Sequence, residues 1–477
     1  VGLMGNLHPV RMFFSGLIEL GSGAGAEIAT RLGAGIARLF GGQSLPIPGH
    51  HWFWNPTRII PDPDVSPITE FPAFTLVYGD LHAHLMDLPQ VLLAMAFALA
   101  VLVGWRRSAG RGRRLAGVVI GALAVGAMRP TNTWSYYPFV TLGCVAVAWA
   151  RLQIEDELPP RVVLARALLW SAGFAALTRV LYLPFDAWFG MGYTELRYWG
   201  ESRTPVAIYL EHWAPFLFPV ATWILLEIRD WLAATPLESI RPLRRHVWTI
   251  AGVALPALGG LLLLADLGVG LSWFIWPLMV MAGLLLMRRD LPPGRRFTLL
   301  IVGLGLGLTL VVELVTLKFD LGRMNTVFKF YYVTWALLAV SAAVSLWWIA
   351  ARRHGRPSRV RRLWWLTATA LLAGACVFPL RAIPAKAHAR MSHDAPRGLD
   401  GLAYLEHAVH HDQGRPLVLA EDLAAIRWLQ RNVDGTPVIV EANIPEYRWG
   451  SRITINTGLP GVVGWNWHQR QQRAFAT

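Results

Sequence analysis

The sequence is short of charge, short of cysteine and nearly without lysine. Charged residues make up 16% of its 477 positions, against roughly 25% in an ordinary soluble domain. A soluble chain of this length needs more polar surface, so the composition argues against a soluble enzyme. The two cysteines, Cys144 and Cys376, both sit in apolar runs. They supply neither a disulfide framework nor a cysteine metal centre. Lysine occurs only at Lys318, Lys329 and Lys386. What is abundant is apolar: 54% hydrophobic residues, 23 Trp and a mean hydropathy of +0.41. That is the composition of a polytopic membrane protein. The net charge of +14 would suggest nucleic acid in a soluble protein. In a membrane chain it marks cytoplasmic loops, so no nucleic-acid partner is expected.

About ten runs approach spanning length. They lie near 89–105, 115–128, 137–150, 164–183, 212–228, 247–265, 272–287, 297–315, 330–350 and 363–380. The second and third are short and must borrow from the segment between them. Every second loop is rich in arginine, and five such loops hold 22 of the 44 basic residues. The positive-inside rule places these five in the cytoplasm. The other loops, 5–88, 129–136, 184–211, 266–271, 316–329 and everything after 381, then face outward from the plasma membrane of a prokaryote. The expected fold is an all-α polytopic membrane protein. Residues 1–380 form its transmembrane domain, with a long first outer loop over 5–88. Residues 381–477 form a small outer α/β domain. The abrupt ends predict a fragment, with a transmembrane helix preceding Val1.

The outward loops hold the unusual residues. Residues 9–40 predict one or two interfacial amphipathic helices, with a transmembrane hairpin as the alternative. Glu70-Phe71-Pro72 is followed by Gly79-Asp80-Leu81-His82-Ala83-His84. Asp80, His82 and His84 share one face of an extended segment, a pattern suited to divalent metal or proton transfer. Capping of the next helix is the structural alternative. Arg129, in Arg129-Pro130-Thr131-Asn132-Thr133-Trp134, can hold a phosphate or a carboxylate or reach lipid headgroups. The run Lys318 to Lys329 sets Lys318, Arg323 and Lys329 around Asp320 and Asn325. Glu313, in the apolar run before it, must either have its pKa raised by burial or find a partner. Beyond 381, Leu399–His411 and Leu423–Val433 read as helices, and Pro437–Glu441 and Arg452–Thr457 as strands. The tail from Trp465 to Arg473, including His468, interleaves aromatic, amide and basic groups, as sugar contacts or a membrane rim require.

Together these strings resemble the Chlor-Arch YYY membrane-protein family, whose core is a domain of unknown function. The matching pieces begin with Gly5-Asn6-Leu7, Glu70-Phe71-Pro72 and the Gly79–His84 and Arg129–Trp134 strings. They continue with Leu321–Lys329, Gly450–Thr454, Thr457–Pro460 and the Trp465–Arg473 tail. They span nearly the whole chain. Ala83 stands where the family pattern usually has Pro. The architecture is similar to GT-C glycosyltransferases, in which a loop carboxylate is the expected base, often with Mg or Mn, and the donor is a sugar on a polyprenyl phosphate.

That resemblance implies Asp80 as base, with Glu70 as runner-up, and His82 and His84 at a metal. It also implies Arg129, Lys318, Arg323 and Lys329 at the lipid phosphate, and Asn132, Asn325, Arg452, Trp465 and His468 at the substrates. The partners would be membrane lipid, the lipid-linked sugar and an acceptor. Two alternatives compete. Asp80-Leu81-His82-Ala83-His84 also resembles the first metal motif of PHP-type phosphoesterases, which would make the chain a zinc-dependent hydrolase. A transporter or lipid-binding scaffold would need no chemistry at all.

Overall fold

We analysed a computed structural model. It describes residues 2–105, 110–153, 158–189, 195–236, 243–288, 290–318, 320–352, 358–446, 448–462 and 464–466, without the side chains of 243–250. Arg106, Arg107, Arg241, Arg289, Arg353, Arg356, His468 and the rest of the tail from Trp467 lie outside the described residues. The chain divides into two compact units. The first is Val1–Ala187, Arg197–Thr316 and Asp320–Ala385; the second is Trp188–Leu196, Leu317–Phe319 and Lys386–Thr477.

The first unit opens with α1 (His8–Leu20) and α2 (Ile28–Phe40). Each has 13 residues, too few to cross about 30 Å of hydrocarbon. They pack so closely that a side chain at Gly35 would meet the Leu17 carbonyl at 1.9 Å. Ile28 and Phe40 remain exposed, as an amphipathic pair at an interface requires.

Each of the ten apolar runs falls on one helix. These are α3 (Leu88–Gly104), α4 (Arg111–Gly126), α5 (Met128–Leu152), α6 (Pro160–Val180), α7 (Val206–Ala234), α8 (Leu243–Asp266), α9 (Ser272–Leu286), α10 (Pro293–Leu314), α11 (Met324–Ala351) and α12 (Arg359–Arg390). Among the described residues, five spans are long and apolar enough to cross a membrane on those grounds alone: Ala83–Gly104, α6, α10, α11 and α12. A sixth is the α4–α5 pair, bent by 103°. α7 carries Glu211, Glu227, Arg229 and Asp230, and the apolar helices Ala251–Asp266 and Ser272–Leu286 are shorter. Prolines start several of the helices, where a missing N–H costs nothing.

The segment 129–136, expected as a loop, is helical. Pro130 stands in the first turn of α5, where proline is tolerated, and the hydroxyls of Thr131 and Thr133 bond the carbonyls of Ala127 and Arg129. Only Asn132 departs from helical angles (φ −152°, ψ 90°). The core is aromatic. Trp213, Trp223 and Trp335 are fully enclosed, and Phe71, sent in from the first loop, stacks on Trp335 at 4.9 Å.

The second unit corrects two expectations. Leu399–His411 is not a helix: a 3-10 turn at Ala403–Glu406 leads into β1 (Val409–Asp412), which pairs antiparallel with β2 (Arg415–Val418). Gln413 and Gly414 both adopt positive φ, the backbone of a two-residue hairpin turn. Arg452–Thr457 is a helix rather than a strand. The Glu441 carboxylate accepts from the N–H groups of Ile453 and Thr454 and so caps it. Pro437–Glu441 contributes a single bridge, Ile439 to Gly461. Leu423–Val433 is helical as expected, within Leu419–Asn432.

Candidate functional site

Phe71 anchors the site. It is fully buried between Trp335 and Phe378, and it fixes Glu70 beside it. The Ile68 N–H bonds the carbonyl of Met324 at the start of α11, at 3.3 Å. The Thr69 N–H bonds Thr57 at 2.8 Å. Residues 57–59 therefore run beside 68–70 and bring Arg58 onto Glu70, whose Oε1 accepts from both terminal guanidinium nitrogens at 3.2 Å. Arg58 also lies 4.5 Å over the Trp54 ring. Burial pushes the Glu70 carboxyl above its ordinary pKa, and Arg58 opposes the rise.

Pro72 starts a short helix, Pro72–Tyr78, that ends on Gly79 in the left-handed region (φ 64°). A side chain is strained there, and the turn lets the Asp80 N–H return to the Thr75 carbonyl. The chain so reverses, and Asp80 comes within electrostatic reach of Glu70. Asp80 is bonded to His82 and keeps 32% of its side chain exposed; His82 keeps 61%. Two residues on, His84 is 3% exposed. Its ring sits 4.5 Å from both Phe328 and Tyr332 and 5.5 Å from His82, and neither of its nitrogens has a hydrogen-bond partner among the described residues.

α11 supplies the cation. The Lys329 ammonium lies 4.6 Å over the Phe328 ring, within electrostatic reach of Glu70, Asp80 and Asp320 and of His84. Asp320 caps this helix. Its two oxygens accept from the Asn325 and Thr326 N–H groups, the Asn325 amide and the Thr326 hydroxyl at 2.7–3.1 Å. Glu70, Asp80, His82, His84 and Lys329 thus form one cluster, drawn from two sequence regions more than 240 positions apart.

The other expected site residues are placed elsewhere. Arg323 is fully enclosed and bonds Glu313 at 2.8 Å, Val312 at 3.0 Å and Thr204 at 3.1 Å. It is the partner that buried Glu313 demanded. Arg129 is 6% exposed and bonded to Asp186, with Arg179 on the same carboxylate. Asn132 donates to Ser135 at 3.0 Å inside the α5 break. Asn325 is held by Asp320. Lys318, bonded to Glu195 at 2.6 Å, Arg452, bonded to Asp422 at 2.7 Å, and Trp465 belong to the second unit. Arg58, Asp186 and Asp87 were not singled out in the sequence. Of these only Asp87 carried a signal: an acid at the mouth of an apolar run, three positions after His84.

Among the described residues, no group of three or more His, Cys, Asp or Glu side chains is placed to hold a metal. His82 and His84 make at most a pair, with the first engaged by Asp80.

An apolar helical bundle with charged side chains gathered at helix ends defines a multi-pass helical membrane protein. The chain belongs to the family described as "Uncharacterized membrane protein (DUF2298)", which matches residues 1–338. No curated protein and no solved structure matches it.

Proposed function

We propose that the chain is a membrane glycosyltransferase of the GT-C kind, working on the outer face of a prokaryotic plasma membrane with a polyprenyl-phosphate-linked sugar as donor. One observation carries this reading. A half-exposed carboxylate, Asp80, held by His82, stands within electrostatic reach of the Lys329 cation and of a buried Arg58–Glu70 pair. Base and cation in one place are what transfer from a lipid phosphate needs.

Asp80 accepts the proton of the acceptor hydroxyl as that oxygen bonds the anomeric carbon. The bond from the anomeric carbon to the phosphate oxygen breaks, and its electron pair leaves with the lipid phosphate. Negative charge develops there, and Lys329 stabilises it. His82 positions Asp80. Glu70, tied to Arg58, sets the charge balance and is the reserve base. The donor set does not match a metal held by the protein alone, so no step is routed through one. Asn132 and Asn325 stand as further substrate contacts and Arg129 as a phosphate contact, to be tested one by one. Arg323, enclosed on Glu313, is read as structural instead. Lys318, Arg452, Trp465 and His468 are proposed only as contacts of the second unit, each with its own substitution to test it. Purified protein given a polyprenyl-phosphate sugar and a mixture of acceptors should release lipid phosphate, and Lys329→Met should slow that release. Release that is unchanged in Lys329→Met removes the cation from the mechanism.

A further inference from the structure

A second polar centre lies one helical turn deeper than His84. Asp87 is 1% exposed at the head of the span Ala83–Gly104. The side chains that face its carboxylate, Asn132 and Ser135, are both neutral and lie within hydrogen-bonding reach, yet among the described residues no hydrogen bond of ordinary geometry closes on it. A turn further on, Gln90 donates to Thr131 at 3.1 Å, while its carbonyl oxygen is buried without a partner among the described residues. His84, Asp87 and Gln90 are spaced i, i+3, i+6, so they line one stripe of the helix. The stripe meets α5 where Asn132 leaves helical geometry. An unneutralised carboxylate at membrane depth is costly. Broken helices there are tolerated where they line a polar site, and in many transporters such breaks hold ions.

We propose that Asp87, Gln90 and Ser135 form a binding site for one monovalent cation of sodium size, seated at the Asn132 break. The unpartnered atoms of Asp87 and Gln90 are acceptors, which selects a cation over an anion. One carboxylate among neutral groups matches a single positive charge. Side-chain oxygens from two helices suit a hard ion. The site would lock the Ala83–Gly104 helix onto α5, and it does not depend on sugar transfer.

Thermal unfolding of the purified full chain, followed by its Trp fluorescence, tests this in sodium, potassium and choline chloride at equal ionic strength. Sodium should raise Tm in a saturable way, because a ligand that binds only the folded state stabilises it. Asp87→Asn should abolish the sodium effect while remaining at least as stable as wild type in choline, since the buried charge is gone. Ser135→Ala should raise the half-saturating sodium concentration about tenfold, the loss of one ~1.4 kcal/mol contact. Equal Tm in sodium and choline for the wild type, or a full sodium shift in Asp87→Asn, overturns the proposal. So does an identical response to all three salts.

Discussion

The two ends of the first unit's helices treat charge in opposite ways. At the arginine-rich end the charges close on one another. Glu227, 2% exposed, is held by Arg295 at 3.0 Å and Arg352 at 2.6 Å, and Arg352 also reaches Asp230. Arg151 and Arg296 lie over the Trp170 and Trp149 rings. At the histidine-rich end the accounts stay open. Asp80 is half-exposed and His82 exposed, His84 and Asp87 are buried with atoms that find no partner among the described residues, and Lys329 sits within electrostatic reach of three carboxylates. Closed networks hold a fold together, whereas open ones wait for a ligand. Arg323–Glu313 sharpens the point. It lies near the open end, yet it is fully enclosed and satisfied, and it belongs with the structural group.

This contrast can be broken by substitution. The largest effect is expected at Asp80→Asn, which should cut transfer by about 10²–10⁴-fold, the usual worth of a general base, with Tm unchanged. Arg323→Met should act oppositely. It strands a buried Glu313 and should cost about 3–5 kcal/mol of stability, read as a lower denaturation midpoint, while whatever folds keeps its turnover. Glu227→Gln should give a smaller loss of the same kind, about 1–3 kcal/mol, again without a change in turnover per folded molecule. A drop in turnover for either of these two would erase the distinction between the ends.

The pH dependence gives a weaker signal. Glu70 has its folded pKa raised by burial, so its contribution favours the folded state below the ordinary carboxylate value of 4.5 and is lost as pH rises through the raised value. A stability–pH profile of Glu70→Gln should lack that fall. The smallest effect is expected at Arg452→Ala in the second unit. Its pair with Asp422 is 41% exposed on the arginine side, and such pairs contribute about 0–1 kcal/mol.

Much of the bundle was legible in the sequence, because apolar length and arginine spacing are local properties. The ten helices lie where the runs lie, and the need of Glu313 for a partner was visible in one buried acid. The partner itself, ten positions on, was read instead as a phosphate ligand, since sequence shows a charge but not its enclosure. Arg58 went unnoticed because its role depends on two loop stretches running side by side. The helix at Arg452–Thr457 was read as a strand from its alternation. Glu441, which caps it from a distance, leaves no trace in a six-residue window. The site cluster was half legible. The Gly79–His84 string announced itself, but its meeting with Lys329 is a fact of tertiary packing.

On the proposed reading the open end does the chemistry and the closed end does not. The most direct test is the release of lipid phosphate from a polyprenyl-phosphate sugar, measured per folded molecule in wild type, Asp80→Asn and Glu227→Gln. The account predicts release by the wild type, near-total loss in Asp80→Asn and full retention in Glu227→Gln. Equal release by wild type and Asp80→Asn would contradict it.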